Sequence, residues 1–250
     1  MRISITILFA AIICVGCKSA QVKSLATLSN KEIRLKQQIY NQGYSFVAYN
    51  GNERWRLFFK PDSVFVWIAP TYKNHYEVTH LANQFPNQTE NYALAGMPVK
   101  LVQITDSVCV DTLAHESFPY KVTLKTDSLT LHGCGYNIYD TRINGKWRLT
   151  HIKGNLVPNV HTDKVPFIEI DGEREWLSGK ASCNRISGKI KIRGNQLHAD
   201  RFAMTRMACT DVIENLFVIT FTDVKTYQAN TNTLLITNSL GATMQFERLK

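Results

Sequence analysis

From Tyr44 onward the chain alternates apolar and polar positions with a period of two, the pattern of strands that bury one face. Trp55, Leu57 and Phe59 fall on one face of a first strand, with Arg54, Arg56 and Phe58 on the other. The turn Lys60-Pro61-Asp62-Ser63 leads into Val64–Ala69, apolar on both faces and so expected inside a sheet. Thr71–Met97 is polar and dotted with aromatics; it reads as loop with room for one strand. Val99–Thr105 is a strand, and Tyr120–Lys125 with Leu129–His132 flank Thr126-Asp127-Ser128 as a hairpin.

Beyond the Asn144-Gly145 turn the same period resumes in Trp147–Lys153, Phe167–Ile170 and Glu175–Ser182. Asp171-Gly172 between the last two has the composition of a type I′ turn. Lys189, Lys191 and Arg193 alternate with Ile190 and Ile192, which gives a half-buried strand with one basic face. Gly194-Asn195 turns it into Gln196–Ala199. Leu234–Thr237 and Thr243–Leu249 are the final strands. Helix signals are fewer. Ser29-Asn30-Lys31-Glu32 fits a capping box opening a short helix to Gln42, and Asp211 with Glu214 fits another before an apolar run to Thr222. Together these elements predict an α+β fold of two small, mainly antiparallel β domains, the second with one helix. Their expected limits are 44–142 and 143–250.

The amino end follows a different rule. Met1–Gly16 carries one basic residue, Arg2, then an apolar run from Ile3 to Val15 and a small residue, the layout of a secretory signal. The run is short of the ~20 apolar residues that a membrane-spanning helix needs. Val15-Gly16-Cys17 resembles a bacterial lipobox, with Cys14 where Leu is usual. Acylation is therefore expected at Cys17, leaving residues 17–43 as a tether. The expected location is the cell envelope, lipid-anchored at the outer membrane and facing the periplasm.

Export changes the meaning of the cysteines. Cys109, Cys134, Cys183 and Cys209 remain after Cys14 and Cys17, and an even set in an exported chain reads as disulfides, with buried free thiols as the other use. Four cysteines allow three pairings. The local one, Cys109–Cys134 with Cys183–Cys209, closes two loops of nearly equal length, each worth about 3.5 kcal/mol by chain entropy. A zinc site wants C-x₂₋₄-C pairs, and the sequence has none, so no metal or other cofactor is expected.

At 44% hydrophobic and 20% charged, the composition is that of an ordinary globular protein. The net charge of +9 favours anionic lipid, an envelope protein or another acidic envelope ligand over nucleic acid, for which no recognition motif is present. Lys189, Lys191 and Arg193 form the best candidate surface for such a partner. Asp111, His115 and Glu116 fall within six residues and have acid–base chemistry, but they lack an identifiable nucleophile. His75 and His80 are spaced wrongly for two ligands on one helix face. Asn184 beside Cys183 is suited to capping or turning the chain. Asn87-Gln88-Thr89 matches a glycosylation sequon by chance, and no catalytic residue is assigned.

Several stretches of the second half resemble the META domain, the HslJ-like heat-shock family. They are Trp147-Arg148-Leu149, Gly179-Lys180-Ala181-Ser182-Cys183-Asn184-Arg185, Thr205-Arg206-Met207-Ala208-Cys209 and Phe246-Glu247-Arg248-Leu249. The first half is similar to a less characterised envelope-lipoprotein domain, through Gly51-Asn52-Glu53-Arg54-Trp55, Cys109-Val110-Asp111, Phe118-Pro119-Tyr120-Lys121-Val122 and Gly133-Cys134-Gly135. The resemblance implies envelope location, antiparallel strands, disulfide pairing and no established catalysis. The expected function is non-enzymatic, in envelope maintenance or stress tolerance. The alternative is a binding or inhibitor module acting on a secreted hydrolase or a small envelope ligand.

Overall fold

The computed structural model describes residues 29–249 apart from 52–54, 62, 69–71, 78–88, 95–98, 114, 159–163, 200–201 and 209–211. The signal segment, Cys17, His80, Asn87, Cys209 and Asp211 lie outside the described residues. The first element is helix α1 (Asn30–Asn41). Its capping box is formed: the Ser29 hydroxyl accepts from the Glu32 N–H at 3.3 Å, and the Glu32 carboxylate accepts from the Ser29 N–H at 2.6 Å.

Eight strands follow: β1 (Phe46–Tyr49), β2 (Trp55–Phe59), β3 (Ser63–Ile68), β4 (Tyr72–Glu77), β5 (Thr89–Ala93), β6 (Val99–Asp111), β7 (Glu116–Thr126) and β8 (Thr130–Asn137). They make one open sheet in the order β4-β3-β2-β1-β8-β7-β6-β5. Two strands therefore occupy the region expected to hold at most one. The β7–β8 hairpin closes at Thr126–Leu129 as expected. Alternation buries Phe46, Trp55, Leu57, Val66, Tyr120 and Leu124 in a common core, while Arg56 faces solvent. Cys109 of β6 and Cys134 of β8 form a disulfide across the intervening β7.

The second half begins with β9 (Gly145–Ile152) and continues with β10 (Asn155–Leu156), β11 (Phe167–Asp171), β12 (Trp176–Lys180), β13 (Arg185–Arg193), β14 (Gln196–Ala199) and β15 (Ala203–Met204). Helix α2 (Val212–Phe221), β16 (Val224–Ala229), β17 (Thr233–Asn238) and β18 (Thr243–Arg248) complete it. The main path runs β9-β11-β12-β13-β14-β16-β17-β18, and β18 pairs back onto β9. The sheet is thus a closed antiparallel barrel, with β10 attached to β9 and β15 to β13. Trp147, Ile168, Leu177, Ile190, Leu234 and Phe246 fill it, and α2 adds Phe217 and Phe221 to the same core.

The Asp171-Gly172 turn departs from expectation. Asp171 pairs with Trp176, so four residues make the connection, and the left-handed one is Glu175 at φ +50°. Asp171 Oδ1 accepts from the Glu173 and Arg174 N–H groups at 3.1 and 3.0 Å, which closes an Asx turn instead. Gly172 is needed for space: a Cβ there would lie 2.6 Å from the Tyr139 hydroxyl.

Candidate functional site

The halves meet where the end of β8 crosses the β13–β14 turn. Tyr139 bridges Gly194 in parallel, and the Gly194 N–H donates to the Ile138 carbonyl at 2.7 Å. Gly194 has φ +60°, a conformation that glycine adopts without strain. The Tyr227 hydroxyl donates to Gly194 O and accepts from the Asp140 N–H, both at 2.9 Å.

From this turn Arg193 reaches into the first half. It pairs with Glu90 at 2.7 Å, donates to Asn137 Oδ1 at 2.9 Å and lies against the rings of Phe46 and Tyr120. The two ionised side chains are 14% and 9% exposed, so the pair is nearly out of water. Burial pulls the Arg193 guanidinium pKa down, but Glu90, joined by the Tyr92 and Tyr120 hydroxyls, holds it above the ordinary value. Lys191 pairs with Asp106 of β6, and Lys189 stays exposed. The basic stripe expected to meet an external anion thus spends Lys191 and Arg193 on acids of the chain's own first half. The reason is that the end of β13 runs along the seam.

Helix α1 also belongs to this junction. Its Lys36 ammonium pairs with Glu173 at 2.5 Å and sits over the rings of Tyr136 and Tyr139 at 5.1 and 5.6 Å. Gln37 accepts from the Thr141 N–H and hydroxyl at 2.8 and 2.6 Å. From Ser29 onward, then, the expected tether is a docked helix.

Between α1, the first sheet and the β11–β12 turn lies a cleft of about 350 Å³. Tyr49, Phe118 and Tyr136 form one wall, with Tyr49 edge-on to Phe118 at 5.6 Å and Phe118 stacked on Tyr136 at 5.9 Å. Glu116, Glu173 and Glu175 line it, with Leu35 and Lys36 from the helix. Burial, then the nearby Glu173 and Glu116 carboxylates, push the Tyr136 hydroxyl up to about 12. Burial likewise raises the Glu175 carboxyl, which accepts from the Tyr120 hydroxyl at 3.4 Å. Such a surface offers hydrogen-bond acceptors, negative charge and aromatic faces.

The other candidate residues fall elsewhere. Asp111 is buried opposite Glu116 at the end of the β6–β7 hairpin, where it accepts from the Leu113 N–H at 2.9 Å and presses on Gly51. A Cβ on Gly51 would lie 2.2 Å from its Oδ1. Asp111 is thus used by the turn, His115 sits in that turn at φ +54°, and only Glu116 reaches the cleft. Asn184 is a hub: its Nδ2 donates to Glu214 at 2.6 Å and to Met207 O at 3.3 Å. Its Oδ1 accepts from the Met207 N–H at 2.8 Å and the Thr205 hydroxyl at 2.9 Å. Glu214 also receives the N–H groups of Cys183 and Asn184, so one buried carboxylate and one amide hold α2, the 205–207 segment and the β12–β13 connection together. Cys183 is disulfide-bonded. Among the described residues no cluster of three or more His, Cys, Asp or Glu is placed to hold a metal ion.

Sequence reasoning missed Lys36, Tyr136, Tyr139 and Glu173. Their one local signal is the acid-rich turn Asp171–Glu175, which carries no information about the helix that docks on it.

Three solved structures are similar over part of the chain. One NMR structure is 26% identical, spans 42% of this chain and 88% of its own, and has a TM-score of 0.35. A second, from Burkholderia xenovorans, is 21% identical over 43% of this chain and 83% of its own, at 0.37. A crystal structure of a DUF4847 family protein from Bacteroides vulgatus is 16% identical over 43% and 94%, at 0.33. No curated protein matches. The family model of the META domain matches residues 140–250, the stretch that builds the closed barrel of the C-terminal half.

Proposed function

We propose that the chain is a non-enzymatic envelope lipoprotein, anchored through Cys17, that serves envelope maintenance or stress tolerance as a binding module. The observation that carries this reading is the cleft between the halves, roofed by α1 and lined by aromatic rings and carboxylates. The polar groups around it are engaged in holding the halves together, as Lys36 with Glu173 and Tyr120 with Glu175 show, which suits recognition better than turnover. Two further features support residence outside the cytoplasm: the Cys109–Cys134 disulfide and the secretory layout of Met1–Cys17.

Two measurements test it. Cys17→Ser abolishes acyl labelling and releases the chain from the membrane fraction; unchanged labelling and fractionation overturn the anchor. Ser117 lines the cleft, and Ser117→Trp fills it. Native mass spectrometry of the chain drawn from its own envelope is expected to show an added small-molecule mass that the filled variant lacks. An identical spectrum for the two overturns the binding role.

A further inference from the structure

Helix α1 is twelve residues long and has no buried residue. Isolated helices of that length are marginal in water, so its place on the body depends on what its side chains grip. One grip is the pair of hydrogen bonds from Thr141 to Gln37, and the charged one is Lys36. Its ammonium is charge-paired to Glu173 and faces two tyrosine rings, and its side chain is only 13% exposed. Glu173 is itself fixed by the Tyr139 hydroxyl, which donates to Oε1 at 2.5 Å while Lys36 takes Oε2. Two aromatic faces and a positioned carboxylate are the elements of an alkylammonium receptor, and here the receptor is built by β8, the connection after it and the β11–β12 turn, without α1.

The cleft continues from this seat along Tyr136 and Phe118 to Tyr49 and Glu116. Glu116 makes no ion pair among the described residues, and it faces the same aromatic wall. Leu35, 53% exposed, borders the opening with an apolar side chain. The chain as a whole carries +9, so this negative, aromatic recess runs against the overall charge.

We propose that the cleft is a recognition site for a primary alkylammonium group on an apolar stem, and that Lys36 is an internal occupant that such a ligand displaces. This rests on the binding role given above and names its ligand class. Displacement removes the charged grip and leaves α1 on the Gln37–Thr141 hydrogen bonds, so occupancy of the cleft loosens how the body is held relative to the chain that precedes it.

The test uses the full chain and n-butylammonium, which reproduces the end of the Lys36 side chain, with butyrate as the opposite charge. Lys36→Ala vacates the seat. Butylammonium is expected to raise the Tm of that variant and to bind it about tenfold more tightly than wild type, since the internal competitor is gone. Adding Glu173→Gln to Lys36→Ala removes the gain. Wild type supplies a reading that needs no substitution: saturating butylammonium speeds amide hydrogen exchange across residues 30–41. Equal binding by Lys36→Ala with and without Glu173→Gln, or no acceleration in α1, overturns the proposal. Binding of butyrate in place of butylammonium, abolished by Ser117→Trp, overturns the cationic class and leaves the binding role standing. Binding of neither probe, together with no mass lost on Ser117→Trp, removes both.

Discussion

The first half leaves its eight-stranded sheet open, with β4 and β5 at the edges, whereas the second closes its sheet by pairing β18 with β9. Closure gives every strand in the ring a neighbour on both sides and leaves the barrel with a continuous core that includes Trp147 and Phe246. The open sheet lacks that solution. Its edge strand β5 turns Glu90 and Tyr92 inward, and the charge of Glu90 is met by Arg193 from the barrel. Dependence between the halves is therefore unequal: the first borrows a cation that it needs, while the second lends one from the end of a strand.

The largest expected effect follows from that inequality. Residues 140–250 expressed alone should unfold cooperatively by calorimetry, while residues 44–139 alone should show no cooperative transition. A folded first half in isolation would end the comparison. Next in size is Cys109→Ala with Cys134→Ala, which should cost the first half about 3.5 kcal/mol and leave the barrel's transition in place. Urea unfolding followed by separate probes in each half distinguishes this from uniform loss. Arg193→Ala should cost about 3 kcal/mol, because it leaves the Glu90 carboxylate nearly buried and uncompensated. Adding Glu90→Gln should recover part of that loss; no recovery would mean that the aromatic contacts of Arg193 matter more than its charge.

The smallest effect concerns pH. Burial raises the Glu175 carboxyl in the folded chain, so its contribution is favourable below the unfolded pKa and is lost as pH rises through the folded one. Glu175→Gln should therefore be more stable than wild type at pH 7, with the difference shrinking as the pH falls toward 4. An advantage of the same size at both pH values would show that ionisation is not its source.

What the sequence disclosed divides along the same line of local against distant causes. The α1 capping box, the β7–β8 hairpin and the Gly194 turn each depend on a few neighbouring residues, and each was legible. Strand β16 was not, because a register shift between Val224 and Thr226 breaks the period-two pattern and spaces its buried residues, Val224 and Tyr227, three apart. Strand β5 was hidden for another reason. A core-facing glutamate contradicts the pattern of a strand until Arg193, far along the chain, is brought beside it. The cleft was invisible on the same ground, since Lys36, Glu116, Tyr136 and Glu173 come together only through the tertiary fold. Asn184 stood out by its family signature, yet the carboxylate that explains it lies a helix away at Glu214.

The pairing of β9 with β18 also sets a schedule. Of the strands in the ring, β9 is the earliest to be made and β18 the latest, so the neighbours that must meet are separated by almost the entire length of the barrel in time as well as in sequence. Until the latest of them emerges, the ring has no means of closing. For the exported lipoprotein proposed above, that order keeps the barrel unsealed until its last strand has been made.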